Sequence, residues 1–363
     1  MFEVIFIIAV SVYFIQSVIF LIGTNKKYDK LKESELPTVT VIVAARNEEK
    51  NIIRCMESLD QLVYPEDKLD IIIVDDKSTD RTGEIVGEYI KGRPKFKKLT
   101  TTESLGHLKG KTNALANAIK KAKGEIILTT DADCAVSPTW AKTIASYYKE
   151  DVGLVNGFTC QEAYNSFTGM QNLDFIYLLN VAAGTINFNL PLSCIGNNMS
   201  YRKAAYEAVG GYEKLPFSVT EDFNLLFAIY KLHKYKVIYP LDEGALVISR
   251  PFNTVKELFH QKKRWGVGGL KSPLRGFLVM TSGFIAHLGF IISPFFFTPV
   301  VLLFMILKLI TDFLSLYLVL SRLKLTSTLK YFLAFEIYFI VYVVALPFIV
   351  LPNRKVKWKD RTF

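Results

Sequence analysis

Cysteine and histidine are scarce in this sequence. Its 363 residues include four cysteines and four histidines. The cysteines (Cys55, Cys134, Cys160 and Cys194) lie far apart and form no Cys-x-x-Cys pair. This spacing excludes a disulfide scaffold and a thiolate zinc site, and it fits a reducing compartment. The histidines form no His-Glu-x-x-His arrangement, so the sequence gives little support for a zinc enzyme.

Charged residues are also few, at 21%, whereas 50% of the residues are hydrophobic. This composition excludes a disordered chain. The net charge of +10 admits either a nucleic-acid binder or a protein at an anionic membrane surface. Residues 26–255 carry equal numbers of basic and acidic side chains, so the excess lies beside the long apolar runs. We therefore expect a lipid bilayer as partner, and no nucleic acid.

Long apolar runs lie near both ends of the chain. Residues 4–25 contain no charged side chain, and roughly 20 apolar residues are enough to cross a bilayer. A signal peptide would have a shorter apolar stretch of ~7–15 residues after a basic start, whereas this chain begins Met-Phe-Glu. The runs 276–320 and 331–351 predict about three more helices, the first two separated near Pro294 and Pro299. The sequence thus predicts a multi-pass integral membrane protein.

Basic residues beside these runs predict the orientation of the chain. The first run is followed by Lys26, Lys27, Lys30 and Lys32, and the run 276–320 is followed by basic residues in 322–330. Because basic residues concentrate on the cytoplasmic side, the block after residue 25 is expected there, at the inner or plasma membrane. The basic tail conflicts with a third crossing after the block. Either the last run does not cross fully, or the helix count is off by one.

Strands and helices alternate in the first part of the block. β-Branched runs at 38–45, 70–75 and 125–130 alternate with helical patterns at 49–60, 79–91 and 111–123. This order predicts an α/β domain with a Rossmann-like, mostly parallel sheet covered on both faces. Ser78 or Thr79 is expected to cap the second helix. The predicted organisation is a transmembrane helix (1–25), a catalytic domain (26–253), an amphipathic interfacial helix (254–275), a transmembrane region (276–351) and a basic tail (352–363).

Polar clusters follow the predicted strands. Arg46-Asn47-Glu48, Asp75-Asp76 and Asp131-Ala132-Asp133 each come directly after a strand. Ligands of parallel sheets bind at the carboxyl ends of the strands. An Asp-x-Asp pair there can hold Mg²⁺ or Mn²⁺, which in turn holds a diphosphate. Taken alone, the tripeptide also fits a helix-capping turn before Ser137-Pro138.

A series of motifs continues along the chain. In order they are VTVIVAARNEEKN (39–51), IVDDKSTDRT (73–82), GKTNAL (110–115), TDAD (130–133), GNNMSYR (196–202), TED (220–222) and QKKRW (261–265). Together they resemble a membrane-bound family 2 glycosyltransferase, in which a GT-A nucleotide-sugar domain lies between transmembrane segments. The tail WKDR (358–361) is similar to a signature of some lipid-acceptor members, although Asp360 stands where glycine is usual.

The resemblance implies roles for the donor-binding residues. Ala44, Arg46, Glu48 and Asp76 would bind the donor, with Asp76 and Glu48 hydrogen-bonding the nucleoside. Lys111 would add a cation near the phosphates or beside a neighbouring carboxylate. A solvated lysine at a helix start is the alternative for Lys111.

Further roles concern the reaction. Asp131 and Asp133 would bracket a Mn²⁺ or Mg²⁺ cofactor and the diphosphate, with Asp133 the more direct ligand. Asp222 would be the general base, beside Glu221. A carboxylate that complements the helix dipole is the alternative for Asp222, and both roles are compatible.

The resemblance also implies that Asn197 and Asn198 line the sugar and acceptor pocket, and a turn before a strand is their alternative. Residues 254–270 predict an amphipathic helix. Within it one turn brings Gln261, Arg264 and Trp265 together. Arginine offers a fork of donors for phosphate, and tryptophan offers a flat face for a sugar or base. Lys262 and Lys263 are expected to form a basic patch on anionic lipid.

The resemblance implies an inverting, metal-dependent transfer of a sugar from a nucleotide sugar to a lipid hydroxyl. A UDP-sugar is the favoured donor, and the acceptor is expected to be a ceramide-like, diacylglycerol-like or similar lipid. A processive polysaccharide synthase and a polyprenyl-phosphate glycosyltransferase are the alternatives. Two other classes have little support. The segment 106–112 lacks one residue of a P-loop, and about four helices without a repeat are few for a transporter.

Overall fold

The computed structural model describes residues 1–216, 218, 220–270, 272–358 and 361–362. The chain forms two compact units. One, here called the helical unit, comprises Met1–Asn25, Gln161–Leu192 and Pro251–Phe363. The other, the sheet unit, comprises Lys26–Cys160 and Ser193–Arg250. The sequence-based boundaries remain a prediction, and they differ from this division by placing 161–192 with the catalytic domain.

The helices are α1 (Phe2–Thr24), α2 (Ile52–Asp60), α3 (Thr82–Tyr89), α4 (Lys111–Lys121), α5 (Trp140–Ser146), α6 (Ser166–Asn187), α7 (Lys203–Ala208), α8 (Gly211–Lys214), α9 (Glu221–Lys231), α10 (Val255–Gly269), α11 (Leu274–Ile292), α12 (Pro299–Arg322) and α13 (Phe332–Val350). The strands are β1 (Val39–Ala45), β2 (Leu69–Asp75), β3 (Phe96–Thr100), β4 (Ile126–Asp131), β5 (Cys134–Val136), β6 (Val152–Asn156), β7 (Thr159–Gln161), β8 (Met199–Arg202), β9 (Lys236–Ile238), β10 (Val247–Ser249), β11 (Lys357–Trp358) and β12 (Arg361–Thr362).

The main sheet has the strand order β3-β2-β1-β4-β8-β6-β9. Strands β1, β2, β3 and β4 run parallel, while β8 pairs antiparallel with both β4 and β6. The central strand β1 is apolar apart from Thr40 and almost fully buried, as expected for a strand covered on both faces. The predicted α/β fold with a mostly parallel sheet is therefore confirmed.

The strand register brings the carboxyl ends of three strands to one edge of the sheet. Ala44 of β1 lies opposite Val74 of β2 on one side and Asp131 of β4 on the other. Ala45 lies opposite Asp75. The polar segments that follow these strands consequently begin at the same edge, which is where parallel sheets bind ligands.

The expected cap of α3 was wrong. The helix begins at Thr82, three residues after Thr79. Its N-cap residue is Arg81, whose side chain forms no capping hydrogen bond. Asp80 instead accepts a hydrogen bond from the Thr82 backbone N–H at 3.0 Å. The run of Ser, Thr and Asp at 78–80 offers several competing acceptors, so the sequence alone does not fix which one stabilises the first turn.

The helical unit contains long apolar helices. Among the described residues, four are long and apolar enough to cross a membrane: Phe2–Thr24, Leu274–Phe296, Pro299–Arg322 and Thr326–Val350. This agrees with the predicted one segment before the block and three after it. Pro299 opens α12, and the Thr298 hydroxyl caps it by accepting from the Val301 N–H at 3.1 Å. The helices indicate an integral membrane protein, and their orientation remains a prediction.

Helix α6 packs among these apolar helices although its own sequence is mixed. It contacts α1, α12 and α13, and most of its residues are buried. Gly184 of α6 meets α1 so closely that an added Cβ would lie 2.5 Å from backbone atoms of Phe20. Glycine at 184 is therefore needed for the two helices to approach one another.

A buried network of polar side chains, here called the polar cluster, joins four helices of this unit. The Lys308 ammonium lies 2.8 Å from Asp312 and 2.5 Å from Glu336. The Tyr13 hydroxyl donates to Asp312 at 2.5 Å and lies 2.6 Å from the hydroxyl of Tyr177. The spacing of Lys308 and Asp312 predicts this pair on one helix face, and the structure confirms it.

Strands β11 and β12 form a two-stranded sheet in the basic tail. Lys359 and Asp360, at the centre of the WKDR signature, lie outside the described residues. The comparison of this signature with lipid-acceptor enzymes therefore remains a prediction from sequence.

Candidate active site

The segments that follow β1 and β2 are tied to each other. One guanidinium nitrogen of Arg46 donates to the backbone carbonyls of Asp76 and Lys77, at 2.8 and 3.1 Å. The Asp76 N–H donates to the Ala45 carbonyl at 2.8 Å. The buried Asp76 carboxylate accepts from the Thr101 hydroxyl at 3.1 Å. These contacts fix Asp76 at the strand end, and they show Arg46 supporting the backbone around it.

Glu48 is held beside this loop. Its backbone N–H donates to the Thr82 hydroxyl and its carboxylate accepts from the Asn51 amide, both at 2.8 Å. Asn47 has a positive φ of 53°, a conformation that asparagine tolerates better than most residues. Half-buried Ala44 lies just upstream in β1. The structure thus brings the four predicted donor-binding residues of β1 and β2 to one sheet edge.

Lys111 joins two of the predicted motifs. Its ammonium lies 2.5 Å from Asp131 and 3.7 Å from Glu221. Burial alone would lower the pKa of Lys111, but the carboxylates of Asp131, Glu221 and Asp222 outweigh burial and hold its pKa well above the ordinary value. The charged lysine, at the start of α4, therefore neutralises part of the negative charge of these carboxylates. The alternative of a solvated helix-start lysine does not describe this geometry.

Asp133 lies in acidic and largely buried surroundings. Burial, together with the charges of Asp131 and Glu48, raises the pKa of Asp133 to about 6. The Arg54 guanidinium fixes the local backbone by donating to the Asp133 carbonyl at 3.1 Å. A divalent cation would relieve the repulsion between these carboxylates, so their donor set fits Mg²⁺ or Mn²⁺.

The two aspartates also fit the usual number of protein ligands for such a cation. Within the described part of the chain, no group of three or more His, Cys, Asp and Glu side chains is arranged to hold a metal. Mg²⁺ is commonly bound through one or two carboxylates and the substrate phosphates. Asp131 and Asp133 therefore match a cation that is held jointly with a diphosphate.

Asp222 lies in the first turn of α9 beside Gly196. One of its oxygens accepts from the Phe223 N–H at 2.8 Å, while the other would lie 3.3 Å from a Cβ added at Gly196. A side chain at 196 would thus crowd the carboxylate. Glu221, the preceding residue, faces Lys111. The structure brings Glu221 and Asp222 of the TED motif close to Lys111 and to the Gly196 turn.

The two asparagines after Gly196 have different surroundings. The Asn198 amide accepts from the Trp140 indole N–H at 2.9 Å and donates to the carbonyls of Phe158 and Ala245 at 2.7 and 2.9 Å. Both of its N–H groups are therefore used inside the fold, which favours the structural alternative for Asn198. Asn197 accepts from the Thr159 hydroxyl at 2.8 Å, and its role toward a sugar stays a prediction.

Gln261, Arg264 and Trp265 belong to the helical unit. They lie on α10, which begins at Val255 with a Thr254 cap, close to the predicted position. The Trp265 ring stacks on Phe175 of α6, with centroids 5.6 Å apart and planes 13° apart. The ring is thus engaged within the fold, and its role toward a sugar or base stays a prediction.

The assignment of Lys262 to a lipid-facing basic patch was wrong. Lys262 is buried and forms an ion pair with Asp174 of α6. From sequence alone, a run of basic residues such as Lys262 and Lys263 resembles an exposed surface. Nothing local identifies the partner of Lys262, because Asp174 lies 88 positions away along the chain. Arg54, Thr101 and Asp174 were also missed. Arg54 and Asp174 belong to no motif, and Thr101 follows β3, a strand that was not predicted.

Comparison with known proteins identifies the class of this fold and site. The model of the family "Glycosyl transferase family 2" matches residues 40–210, and that of "Glycosyl transferase family group 2" matches residues 126–351. The second match covers more than half of the chain. The chain therefore belongs to the family 2 glycosyltransferases, and the enzyme class implied by the resemblance is confirmed.

Two relatives represent different acceptor types within this family. The chain is 30% identical over 263 residues to beta-monoglucosyldiacylglycerol synthase of Nostoc sp., covering 69% of this chain and 52% of the relative. It is 26% identical over 285 residues to poly-beta-1,6-N-acetyl-D-glucosamine synthase of Staphylococcus epidermidis, covering 74% and 65%. The chain thus spans about half to two thirds of the length of these relatives.

A solved structure supports the fold over the whole chain. The mannosyltransferase PcManGT from Pyrobaculum calidifontis, in complex with GDP-Man and Mn²⁺, is similar with a TM-score of 0.62. The similarity covers 99% of this chain and 100% of that one, at 20% identity. It confirms the predicted combination of a GT-A domain and apolar helices.

Proposed function

We propose that this protein is an inverting, metal-dependent glycosyltransferase that moves a sugar from a nucleotide sugar to a hydroxyl group of a membrane lipid. The observation that carries the proposal is the meeting of Lys111, Asp131 and Glu221 at the carboxyl edge of the sheet. Asp133 and Asp222 adjoin this group. A base, a cation-binding pair and a lysine charge thus belong to one acidic group, as transfer from a nucleoside diphosphate requires.

The donor is bound by the residues around β1, β2 and β4. Asp76 and Glu48 accept hydrogen bonds from the nucleoside, while Ala44 and Arg46 shape the backbone beside it. Asp131 and Asp133 would hold Mn²⁺ or Mg²⁺ with the diphosphate, and the bound cation would supply charge neutralisation at the leaving group. The Mn²⁺ and GDP-Man named for the Pyrobaculum enzyme support this assignment.

Asp222 removes the proton from the acceptor. Its carboxylate takes the hydroxyl proton while the oxygen attacks the anomeric carbon of the donor sugar. A bond forms between the acceptor oxygen and this carbon, and the bond to the diphosphate oxygen breaks on the opposite side. A single displacement of this kind inverts the configuration. The positive charge of Lys111 offsets part of the negative charge of the neighbouring acidic side chains.

The helical unit favours a lipid acceptor. Four helices long and apolar enough to cross a membrane give lipids direct access to the protein. The name of the Nostoc relative points to a diacylglycerol acceptor. The Staphylococcus relative, named as a polysaccharide synthase, supports processive extension of a glycan as the second candidate. Transfer to a polyprenyl phosphate is the third candidate, and the catalytic side is proposed to be cytoplasmic.

Donor binding by Gln261, Arg264 and Trp265 is part of the same proposal. Its support is their match to the QxxRW motif of the family. Arginine would contact the diphosphate as a bidentate donor.

One assay tests the function. Purified protein is incubated with Mn²⁺ or Mg²⁺, native membrane lipids and a panel of UDP- and GDP-sugars, and the lipid extract is analysed by mass spectrometry. A single hexose increment on a neutral lipid is expected. A ladder of increments would establish the polysaccharide candidate, and an increment on a phosphate-bearing polyprenol the third. The Asp222→Asn variant is the matched control, and product formed without any nucleotide sugar would overturn the proposal.

A further inference from the structure

Helix α10 carries two adjacent faces in its QKKRW segment. Successive residues of an α-helix are separated by about 100°, so residues three apart lie on the same side. Lys262 and Arg264 are two positions apart and therefore point to nearly opposite sides of α10, whereas Trp265 lies within about 60° of both Gln261 and Lys262. We call the side of Gln261 and Arg264 the QxxR face, and we assign Trp265 with Lys262 to the KxxW face because of their contacts with each other and with α6.

The KxxW face is anchored to α6. Lys262 is 5% exposed and pairs with Asp174, which is fully buried. The same ammonium lies 4.4 Å from the Trp265 ring centroid, and the Trp265 ring stacks on Phe175. Asp174 and Phe175 are consecutive on α6, so one short stretch of that helix contacts both residues of the face.

Other contacts fix the same helix along its length. Gln171, one turn before Asp174, exchanges two hydrogen bonds with the backbone of Phe252 just ahead of α10, at 3.0 and 3.1 Å. Gly266 lies against α13, where an added Cβ would be 2.8 Å from Val350. Rotation of α10 about its axis is therefore blocked at its start and around Trp265.

The buried ion pair has few supporting contacts. Among the residues that the structure describes, the second oxygen of Asp174 has no hydrogen-bond partner. Burial raises the pKa of Asp174 and lowers the pKa of Lys262, while each charge opposes the shift of the other. Lys262 is thus the partner that allows Asp174 to remain buried as a carboxylate.

The QxxR face lacks such anchoring. Neither Gln261 nor Arg264 forms a hydrogen bond or ion pair with another described residue. A guanidinium that pairs with none of the described residues is available to an anionic ligand, and its direction depends on the rotation of the helix that carries it.

We propose that Lys262, paired with Asp174, is a positioning residue that, together with the contacts at Phe252 and Gly266, sets the rotation of α10 and thereby the direction of the Arg264 guanidinium. In this arrangement Trp265 is also a packing partner of Phe175 and Lys262. The proposal rests on the proposed function, since it assigns Lys262 to the same donor-binding machinery. A displacement of about 1 Å in such a group can cost a hundredfold in rate.

A double-mutant cycle tests the coupling between the two faces. Lys262→Met, Arg264→Ala and the double variant are compared by kcat/KM for the donor and by binding of free UDP or GDP. Lys262→Met is expected to lower kcat/KM about tenfold to hundredfold. When Arg264 is already replaced, Lys262→Met should lower kcat/KM less than about threefold, because the lysine acts through the arginine.

Lys263→Met, on the neighbouring residue, is the matched control, and its kcat/KM should stay within about twofold of the wild type. Additive losses would overturn the proposal, as would unchanged kcat/KM in a folded Lys262→Met variant.

A spectroscopic readout separates this inference from the proposed function. The emission of Trp265 is obtained as the difference between the wild type and Trp265→Phe. Lys262→Met should shift this emission and increase its quenching by acrylamide, and Lys262→Arg should restore both. If no donor supports transfer but the Trp265 emission shifts, the proposed function fails, whereas the anchoring of α10 by Lys262 stands. If transfer occurs and the emission is unchanged, the anchoring is refuted.

Discussion

The polar cluster predicts a large stability loss when Lys308 is removed. Its ammonium lies 2.8 Å from Asp312 and 2.5 Å from Glu336, and the three side chains are 0–4% exposed. At an effective dielectric constant of about 20, each contact contributes about 6 kcal/mol of Coulomb energy. Desolvation of three ions offsets most of that gain. Removing the lysine alone leaves two buried carboxylates without a cation.

Lys308→Met is therefore expected to lower the free energy of unfolding by about 3–5 kcal/mol. That loss would lower the midpoint of thermal unfolding by about 4–7 °C in a chain of this length. The measurement is thermal unfolding of the detergent-solubilised protein followed by circular dichroism. Arg322→Met, which removes an exposed charge at the end of the same helix, is the control and should cost under about 1 kcal/mol.

A rescue variant makes the reasoning refutable. Asp312→Asn and Glu336→Gln, added to Lys308→Met, remove every formal charge of the Lys308 group. The triple variant should recover most of the lost stability, because a buried ion triad replaced as a whole is often close to neutral. A Lys308→Met protein as stable as the Arg322→Met control would refute the argument, and so would a triple variant less stable than Lys308→Met alone.

The remaining predictions concern the sheet unit. Asp222→Asn should lower kcat by at least about a hundredfold and leave nucleotide binding within about threefold. Loss of binding instead, seen by calorimetry, would contradict the assignment of the base. Asp133→Ala should abolish Mn²⁺-dependent donor binding, and wild-type turnover in chelator would exclude it as a ligand. Gly196→Ala, whose Cβ would lie 3.2 Å from Asp222, should reduce kcat more than donor KM. Lys111→Met should raise donor KM about tenfold, and an unchanged KM would return Lys111 to a structural role.

Much of the sheet unit could be predicted from the sequence. β1, β2 and β4 are mostly apolar and β-branched runs. The helices between them have regular apolar spacing, as in α2 with Ile52, Cys55, Met56 and Leu59 buried. Parallel strands must end at one edge, so the convergence of Asp76 and Asp131 follows from the order of elements alone.

The helical unit was less predictable because its contacts join distant parts of the chain. α6 contains Asn, Gln and Asp among its apolar residues, so no period identifies it as a buried helix. Its burial depends on partners such as Lys262 for Asp174 and Tyr13 for Tyr177. Pairing over 88 and 164 positions leaves no local signal. The same reason explains why Lys262 was assigned to a lipid surface.

The chain passes between its two units four times, after Asn25, Cys160, Leu192 and Arg250. The insertion of α6 between β7 and β8 has a consequence for the modularity of the protein. A fragment cut at residues 26 and 253 would retain α6 but lose α1, α12 and α13, so the surface that α6 buries against them would become exposed. The segment 26–253 is thus not a self-contained module, because α6 needs the apolar helices of the helical unit in order to stay buried.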